Sequence, residues 1–161
     1  MNYFIKIIYL LLLFSFSLYP RDYVWPTNAS KTLTDVFGGI RGDGRHHTGI
    51  DIRTYGINGF DVYAIENGYI SKMLVSTNGY GKALYVTMED GNTSLYAHLD
   101  HFNDKLEIIK ERLQEKCNCY TIVQEFSEWE LPVTKGEVIG YTGDTGGVSG
   151  AHLHFEIRNK K

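Results

Sequence analysis

The chain has 161 residues, of which 43% are hydrophobic and 22% charged, a length that suits one domain and is short for two. Its 16 basic and 19 acidic residues give a formal net charge of −3, so it lacks the basic excess of a general nucleic-acid binder. The composition also excludes a disordered or collagen-like chain, and 12 Tyr with 8 Phe against 3 Pro favour β structure.

The N-terminal segment has the pattern of a secretory signal. Lys6 is followed by thirteen uncharged residues, 7–19, whereas a membrane-spanning helix needs about 20. Small residues at positions 15 and 17 suit cleavage after Ser17, so residues 1–17 are predicted to be a signal peptide, with the cleavage point between 17 and 22. An uncleaved anchor and a buried helix are the alternatives. Export predicts a periplasmic, extracellular or other cell-envelope location, with no stable membrane span in the mature chain.

The next segments predict an antiparallel sheet. Residues 18–36 are expected to form an irregular lead-in, and residues 37–161 the main domain, which begins with a glycine-rich loop. Asn-Gly and Asp-Gly turn signals then separate short β-rich runs, which predict strands at 61–65, 69–75, 83–88 and 93–99. This close spacing is typical of antiparallel pairing.

Residues 103–116 have apolar positions at helical spacing and predict one short helix. Strands are expected again at 120–126, 137–141 and 152–158. Cys117 and Cys119 are separated by one residue, and their pattern leaves open a strained bond to each other, half of a metal site, or pairing with another chain.

The last strand carries a candidate site. Side chains alternate along a strand, so His152, His154 and Glu156 share one face, and Leu153, Phe155 and Ile157 the other. Two histidines at this spacing suit a metal site, but a merely exposed polar face explains the pattern equally well. Alternation does not decide which of the two histidines would bind a metal.

Two earlier segments supply further candidates. By the same alternation, Tyr96 and His98 should point away from the apolar Leu95, Ala97 and Leu99. His47 and Asp51 would lie about 13 Å apart on a straight strand, too far to share a metal, so joint chelation requires a bend at Gly49. A turn with a capping Asp is the alternative there. Together the segments supply the three ligands and the spare imidazoles that a catalytic zinc site needs.

Three motifs carry a family resemblance: His47-Thr48-Gly49-Ile50-Asp51, Tyr96-Ala97-His98-Leu99 and Gly150-Ala151-His152-Leu153-His154-Phe155-Glu156. In this order they resemble the lysostaphin-type zinc metallopeptidases. The resemblance implies a mainly β, compact antiparallel sheet of the lysostaphin-type, duplicated-hybrid-motif-like class, with a metal in a groove. It implies one Zn²⁺ ion bound by His47, Asp51 and His154, with His98 and His152 as the catalytic pair.

The resemblance further implies a zinc-dependent endopeptidase that acts on stem or cross-bridge peptides of peptidoglycan. A non-catalytic cell-wall-binding protein and an activator of other wall hydrolases are the alternatives. The chain departs from the family at Ala151, where members often have Pro, and in a longer link at about 100–132. This insertion is expected either to border the groove or to be a passive surface addition.

Overall fold

The computed structural model describes residues 22–42 and 44–160, so the predicted signal peptide lies outside the described residues. Within those ranges the chain forms ten strands and one helix. The strands are β1 (Leu33–Asp35), β2 (Ile50–Arg53), β3 (Asp61–Tyr63), β4 (Gly68–Val75), β5 (Lys82–Met88), β6 (Thr93–Phe102), β7 (Ile122–Glu125), β8 (Pro132–Val133), β9 (Val138–Thr142) and β10 (His152–Arg158). The helix is α1 (Asp104–Cys117). The prediction of a mainly antiparallel β fold with one inserted helix is confirmed.

The main path of the sheet runs β1-β2-β10-β6-β5-β4-β7, and every pair in it is antiparallel. β9 joins β6 and β3, while β8 pairs with one end of β4. The structure differs from the sequence analysis at β1, which lies in the segment expected to be irregular. A strand of three residues is too short for its alternation to be recognised.

One face of the sheet carries the core. Leu84, Tyr96, Leu153 and Ile52 are fully buried there, and the first turns of α1 pack onto the same cluster through Leu106. The opposite face carries a small apolar patch of Ala83, Leu95 and Ala97, with polar and aromatic side chains around it. The candidate site lies on this second face, so the core supports the strands from behind.

The prediction that Tyr96 and His98 share a face is wrong, as is the grouping of Leu99 with Leu95 and Ala97. Tyr96 and Leu99 both lie in the core, and the Tyr96 hydroxyl accepts a hydrogen bond from a buried backbone amide at 3.0 Å. The register between β5 and β6 shifts at this point, and His98 has a φ of 61°. Such an irregularity inverts the alternation and turns His98 onto the second face.

The insertion is well structured. Asn103 caps α1 by accepting a hydrogen bond from the Leu106 amide at 3.0 Å. Asn118, with a φ of 49°, ends the helix in the left-handed region. Cys117 and Cys119 form a disulfide with each other, which answers the question that their spacing left open. Beyond it, β7 adds a strand to the sheet beside β4. No helix within the described ranges is long and apolar enough to cross a bilayer.

Candidate metal centre

Three parts of the chain bring ligand atoms together. His154 on β10 lies directly opposite Asp51 on β2 in the antiparallel register. His47 comes from the loop before β2, and the chain bends at Gly49, as predicted. A Cβ at Gly49 would stand 2.4 Å from the carbonyl oxygen of Phe155, so only glycine allows the loop to approach β10 this closely.

The three ligand atoms form a tight triangle. His47 Nε2 and His154 Nδ1 are 2.9 Å apart, and Asp51 Oδ1 is 2.9 Å from His154 Nδ1 and 3.1 Å from His47 Nε2. All three residues are buried. Ligands of a tetrahedral zinc with bonds of about 2.0–2.1 Å lie roughly 3.3–3.4 Å apart, so the triangle needs to widen by only a few tenths of an ångström.

In each imidazole, the nitrogen outside the triangle has a hydrogen-bond partner, and that partner decides whether the nitrogen inside the triangle carries a proton or a lone pair. His47 Nδ1 lies 3.0 Å from the Val36 carbonyl oxygen, which can only accept, so Nδ1 carries the proton and Nε2 presents a lone pair. His154 Nε2 lies 2.8 Å from the Glu156 carboxylate, so in the neutral ring Nδ1 presents the lone pair. Two nitrogen lone pairs and a carboxylate oxygen then converge on one point. This donor set fits a divalent cation such as zinc.

Glu156 holds His154 in this orientation from behind. It accepts hydrogen bonds from His154 Nε2, Thr48 Oγ1 and Tyr80 OH on one oxygen, at 2.7–2.8 Å, and from Arg158 Nε on the other at 2.7 Å. Burial opposes its ionisation, but these bonds prevail and lower its pKa to about 2. Glu156 is therefore a carboxylate at neutral pH, and it fixes the tautomer of His154.

Asp51 is similarly kept ionised. Its burial raises the pKa, yet the hydrogen bond with His154, the nearby His152, and a 2.8 Å bond from the Arg41 guanidinium hold the pKa well below its usual range. Arg41 uses Oδ2, which leaves Oδ1 facing the two imidazoles. The carboxylate thus has one oxygen for an arginine and one for a metal.

His98 and His152 stand side by side next to the triangle. Their ring centroids are 4.8 Å apart, and His152 Nε2 is 3.6 Å from Asp51 Oδ1. Each ring has its Nδ1 against a backbone carbonyl, that of Thr145 for His98 and that of Gly150 for His152. With Nδ1 donating to a carbonyl, each Nε2 presents its lone pair toward the triangle, and that of His152 lies beside Asp51 Oδ1. Burial lowers the pKa of His98 to about 4, which keeps it neutral at pH 7 and able to accept a proton.

The five residues singled out from the sequence thus lie together in one place, at an open groove of about 490 Å³. His46 lies on its rim, whereas the exposed His101 bonds to Asp100 and stacks on Tyr141. The supporting roles of Glu156, Tyr80 and Thr145 were not predicted from the sequence. For Glu156 the signal was present, because alternation along β10 already placed it beside His154.

The chain has relatives among known proteins. No family model matches the chain. It is 34% identical over 114 residues to the DD-carboxypeptidase/endopeptidase Mpg of Neisseria meningitidis serogroup B, a match that covers 71% of this chain and 20% of Mpg. It is 29% identical over 136 residues to the cell division protein DipM of Caulobacter vibrioides, covering 84% of this chain and 18% of DipM. The chain thus spans about a fifth of the length of the curated relatives it matches.

Among solved structures, the fold is similar to the catalytic domain of the antimicrobial peptidase lysostaphin from Staphylococcus simulans. The TM-score is 0.58 at 25% sequence identity, and the match covers 81% of each chain. Similarity over most of both chains indicates that the whole fold is shared, and not one isolated motif.

Proposed function

The chain belongs to the lysostaphin-type (M23) metallopeptidase family, and from this premise we propose that it is a zinc-dependent endopeptidase of peptidoglycan. Its target is a peptide bond in a stem or cross-bridge peptide. The observation that carries the proposal is the convergence of His47 Nε2, Asp51 Oδ1 and His154 Nδ1, three lone-pair atoms within 3.1 Å of one another. Nearby, His98 and His152 are oriented for proton transfer.

His47, Asp51 and His154 are proposed to hold one zinc ion, which supplies Lewis-acid activation of the scissile carbonyl and of the attacking water. The Nε2 of His98 or His152 accepts the proton of that water and later returns it to the leaving amine. Burial lowers the pKa of His98, so its ring is neutral at rest and its Nε2 has a lone pair for that proton. The chain lacks an H-E-x-x-H motif, so no glutamate is positioned as the base in the way of that motif.

The domain assignment follows the same proposal. Residues 37–161, together with β1 of the preceding segment, form the peptidase domain, and residues 1–17 act as a signal peptide that directs it to the periplasm, the cell surface or the medium, where peptidoglycan is found. Similarity to relatives that are named as an endopeptidase and as a cell division protein supports a role at the cell wall. All five proposed functional residues lie together at one groove, and this favours catalytic turnover over binding to the wall alone.

The test is to incubate the mature protein with purified peptidoglycan and to detect new peptide ends by mass spectrometry. New amino termini that disappear after chelation and return with Zn²⁺ are expected. His152→Ala serves as the inactive comparison, because its ring lies outside the ligand triangle. Binding to the wall without new ends would identify a binding module, and release of ends only by a second hydrolase would identify an activator. Either result overturns the proposal.

A further inference from the structure

A second groove lies on the same face of the sheet, away from the metal centre. It has a volume of about 760 Å³ and is formed over the outer side of β4, β5 and β6 and below the end of the insertion. Tyr69 and Trp129 form one end, with ring centroids 5.5 Å apart, and Tyr85 and Arg158 line it toward the metal centre. The catalytic proposal uses none of the three aromatic residues.

This second groove adjoins the metal centre at two side chains. Tyr80 lines the groove of the metal centre, Arg158 lines the second groove, and the Arg158 guanidinium donates a hydrogen bond to the Tyr80 hydroxyl at 3.1 Å. Tyr85 lies between two cations, with Lys72 Nζ and Arg158 Cζ each 5.5 Å from its ring. A bound chain can therefore pass over Tyr80 and Arg158 from the metal centre to the aromatic end.

Trp129 is held in an exposed position. It is 48% exposed, and its backbone has a φ of 59°, a conformation that is uncommon for a bulky residue and persists only when its surroundings impose it. A turn from Ser127 to Glu130 imposes it, through the bond from the Glu130 amide to the Ser127 carbonyl. The turn leaves the indole half exposed beside Tyr69, with its Nε1 donating to Glu128 Oε1 at 3.2 Å.

The chemistry of the groove favours an uncharged, polyhydroxylated ligand. Pyranose rings have apolar faces that pack on aromatic rings, while their hydroxyl and acetamido groups need both donors and acceptors. The groove supplies both. Its cations are matched by four acidic side chains, Glu89, Asp90, Glu125 and Glu128, which disfavour a polyanion such as nucleic acid or an anionic membrane.

The distance between the metal centre and the Tyr69–Trp129 pair matches the length of a peptidoglycan stem peptide. From His154 to Tyr69 the sheet path crosses three strand spacings and runs four residues along the strands, which amounts to roughly 20 Å. An extended peptide covers at most about 3.3–3.6 Å per residue, so a stem peptide of about five residues and its lactyl link span this distance. A sugar at the aromatic end would thus place a bond near the distal end of its own stem peptide at the metal centre.

We infer that Tyr69 and Trp129 form a saccharide subsite that binds the glycan strand while its attached peptide lies over Tyr85 and enters the metal centre. The inference rests on the proposed function and deepens it, because it makes sugar-bearing peptidoglycan, and not free peptide, the preferred substrate. It also gives the insertion at 100–132 a role in substrate binding, since Trp129 belongs to it.

The test compares two substrates that share one peptide: a disaccharide-linked muropeptide, and the same peptide after an amidase has removed its sugars. For Trp129→Ala, kcat/KM on the sugar-bearing substrate is expected to fall about tenfold, the size of one lost aromatic stacking contact, and to stay within about twofold on the free peptide. Tyr120→Ala is the matched control. It removes a 51% exposed aromatic from the same insertion outside the groove, and leaves both rates unchanged.

A second measurement is independent of catalysis. Peptide-free glycan oligosaccharides are titrated into the wild-type protein and into Trp129→Ala, with binding followed by calorimetry, and circular dichroism verifies that both are folded. Binding by the wild type alone supports the subsite even if neither substrate is cleaved, which would refute the proposed function only. Equal losses of kcat/KM on both substrates would show that Trp129 contacts peptide, and this result, or absence of glycan binding, overturns the inference.

Discussion

Glu156→Gln is the sharpest test of how the metal centre is organised. The substitution keeps the size of the side chain and one carbonyl oxygen, but it replaces the other oxygen with an NH₂ group. Glu156 faces ring and guanidinium N–H groups on both of its oxygens, from His154 and Arg158. The NH₂ group of a glutamine would therefore face an N–H donor of either His154 or Arg158, where the carboxylate oxygen accepts a hydrogen bond.

The magnitude follows from the structure. A pKa held at about 2, against an ordinary 4.5, corresponds to about 3 kcal/mol of preference for the ionised form in the folded chain. Part of this is screened near the surface, so the loss of a buried charge-assisted bond is expected to lower the free energy of unfolding by about 2 kcal/mol at pH 7. Because the folded pKa is depressed, this stabilisation is present above pH 4.5 and is lost as the pH falls toward 2. With His154 no longer fixed in one tautomer, zinc affinity should fall by about 10- to 100-fold.

Two assays measure these effects. Urea unfolding of the metal-free protein gives the change in stability, and competition with a chromophoric chelator gives the zinc affinity. Glu111→Gln, an exposed substitution on α1, is the matched control and should change neither quantity. If Glu156→Gln binds zinc as tightly as the wild type, the charge of this carboxylate is not what holds His154 in its ligand orientation.

Three further predictions concern the same centre. His98→Ala should bind zinc normally, as measured by metal analysis, but lose at least about 100-fold in kcat, because it removes a proton-transfer group and not a ligand; loss of zinc would reverse its assignment. Gly49→Ala should destabilise the protein by about 2–4 kcal/mol in urea unfolding and weaken zinc binding, because the new Cβ would meet the Phe155 carbonyl oxygen at 2.4 Å; an unchanged midpoint would show that the loop shifts without penalty. Zinc affinity should decline as the pH falls, and the decline should begin above pH 6.5, the ordinary pKa of histidine. Burial lowers the pKa of His154, but its hydrogen bonds to Asp51 and Glu156 prevail and raise it, so the ring is protonated at a higher pH. A chelator competition that gives the same zinc affinity between pH 8 and 5.5 would contradict this.

Much of the site could be predicted from sequence because β10 is regular. Strict alternation there placed His154 and Glu156 together, and a steric argument about strand length placed the bend at Gly49. The orientation of His98 could not be predicted in this way, because one irregularity in β6 inverts the alternation and nothing in the local sequence marks it. The outer partners of the imidazoles were also inaccessible, since the carbonyls of Val36 and Thr145 come from distant segments and every residue type carries a carbonyl.

The insertion has a consequence beyond substrate binding. β7 pairs with β4 along Lys72–Val75, so the backbone N–H and C=O groups of that half of β4 are satisfied within the molecule. β7 itself is short and ends at Glu125, which suits an outermost strand that must resist pairing with other chains. A shortened protein without this segment would leave the Lys72–Val75 half of β4, with the apolar Met73, Leu74 and Val75, open to self-association. Removing the segment would therefore make the protein prone to aggregate.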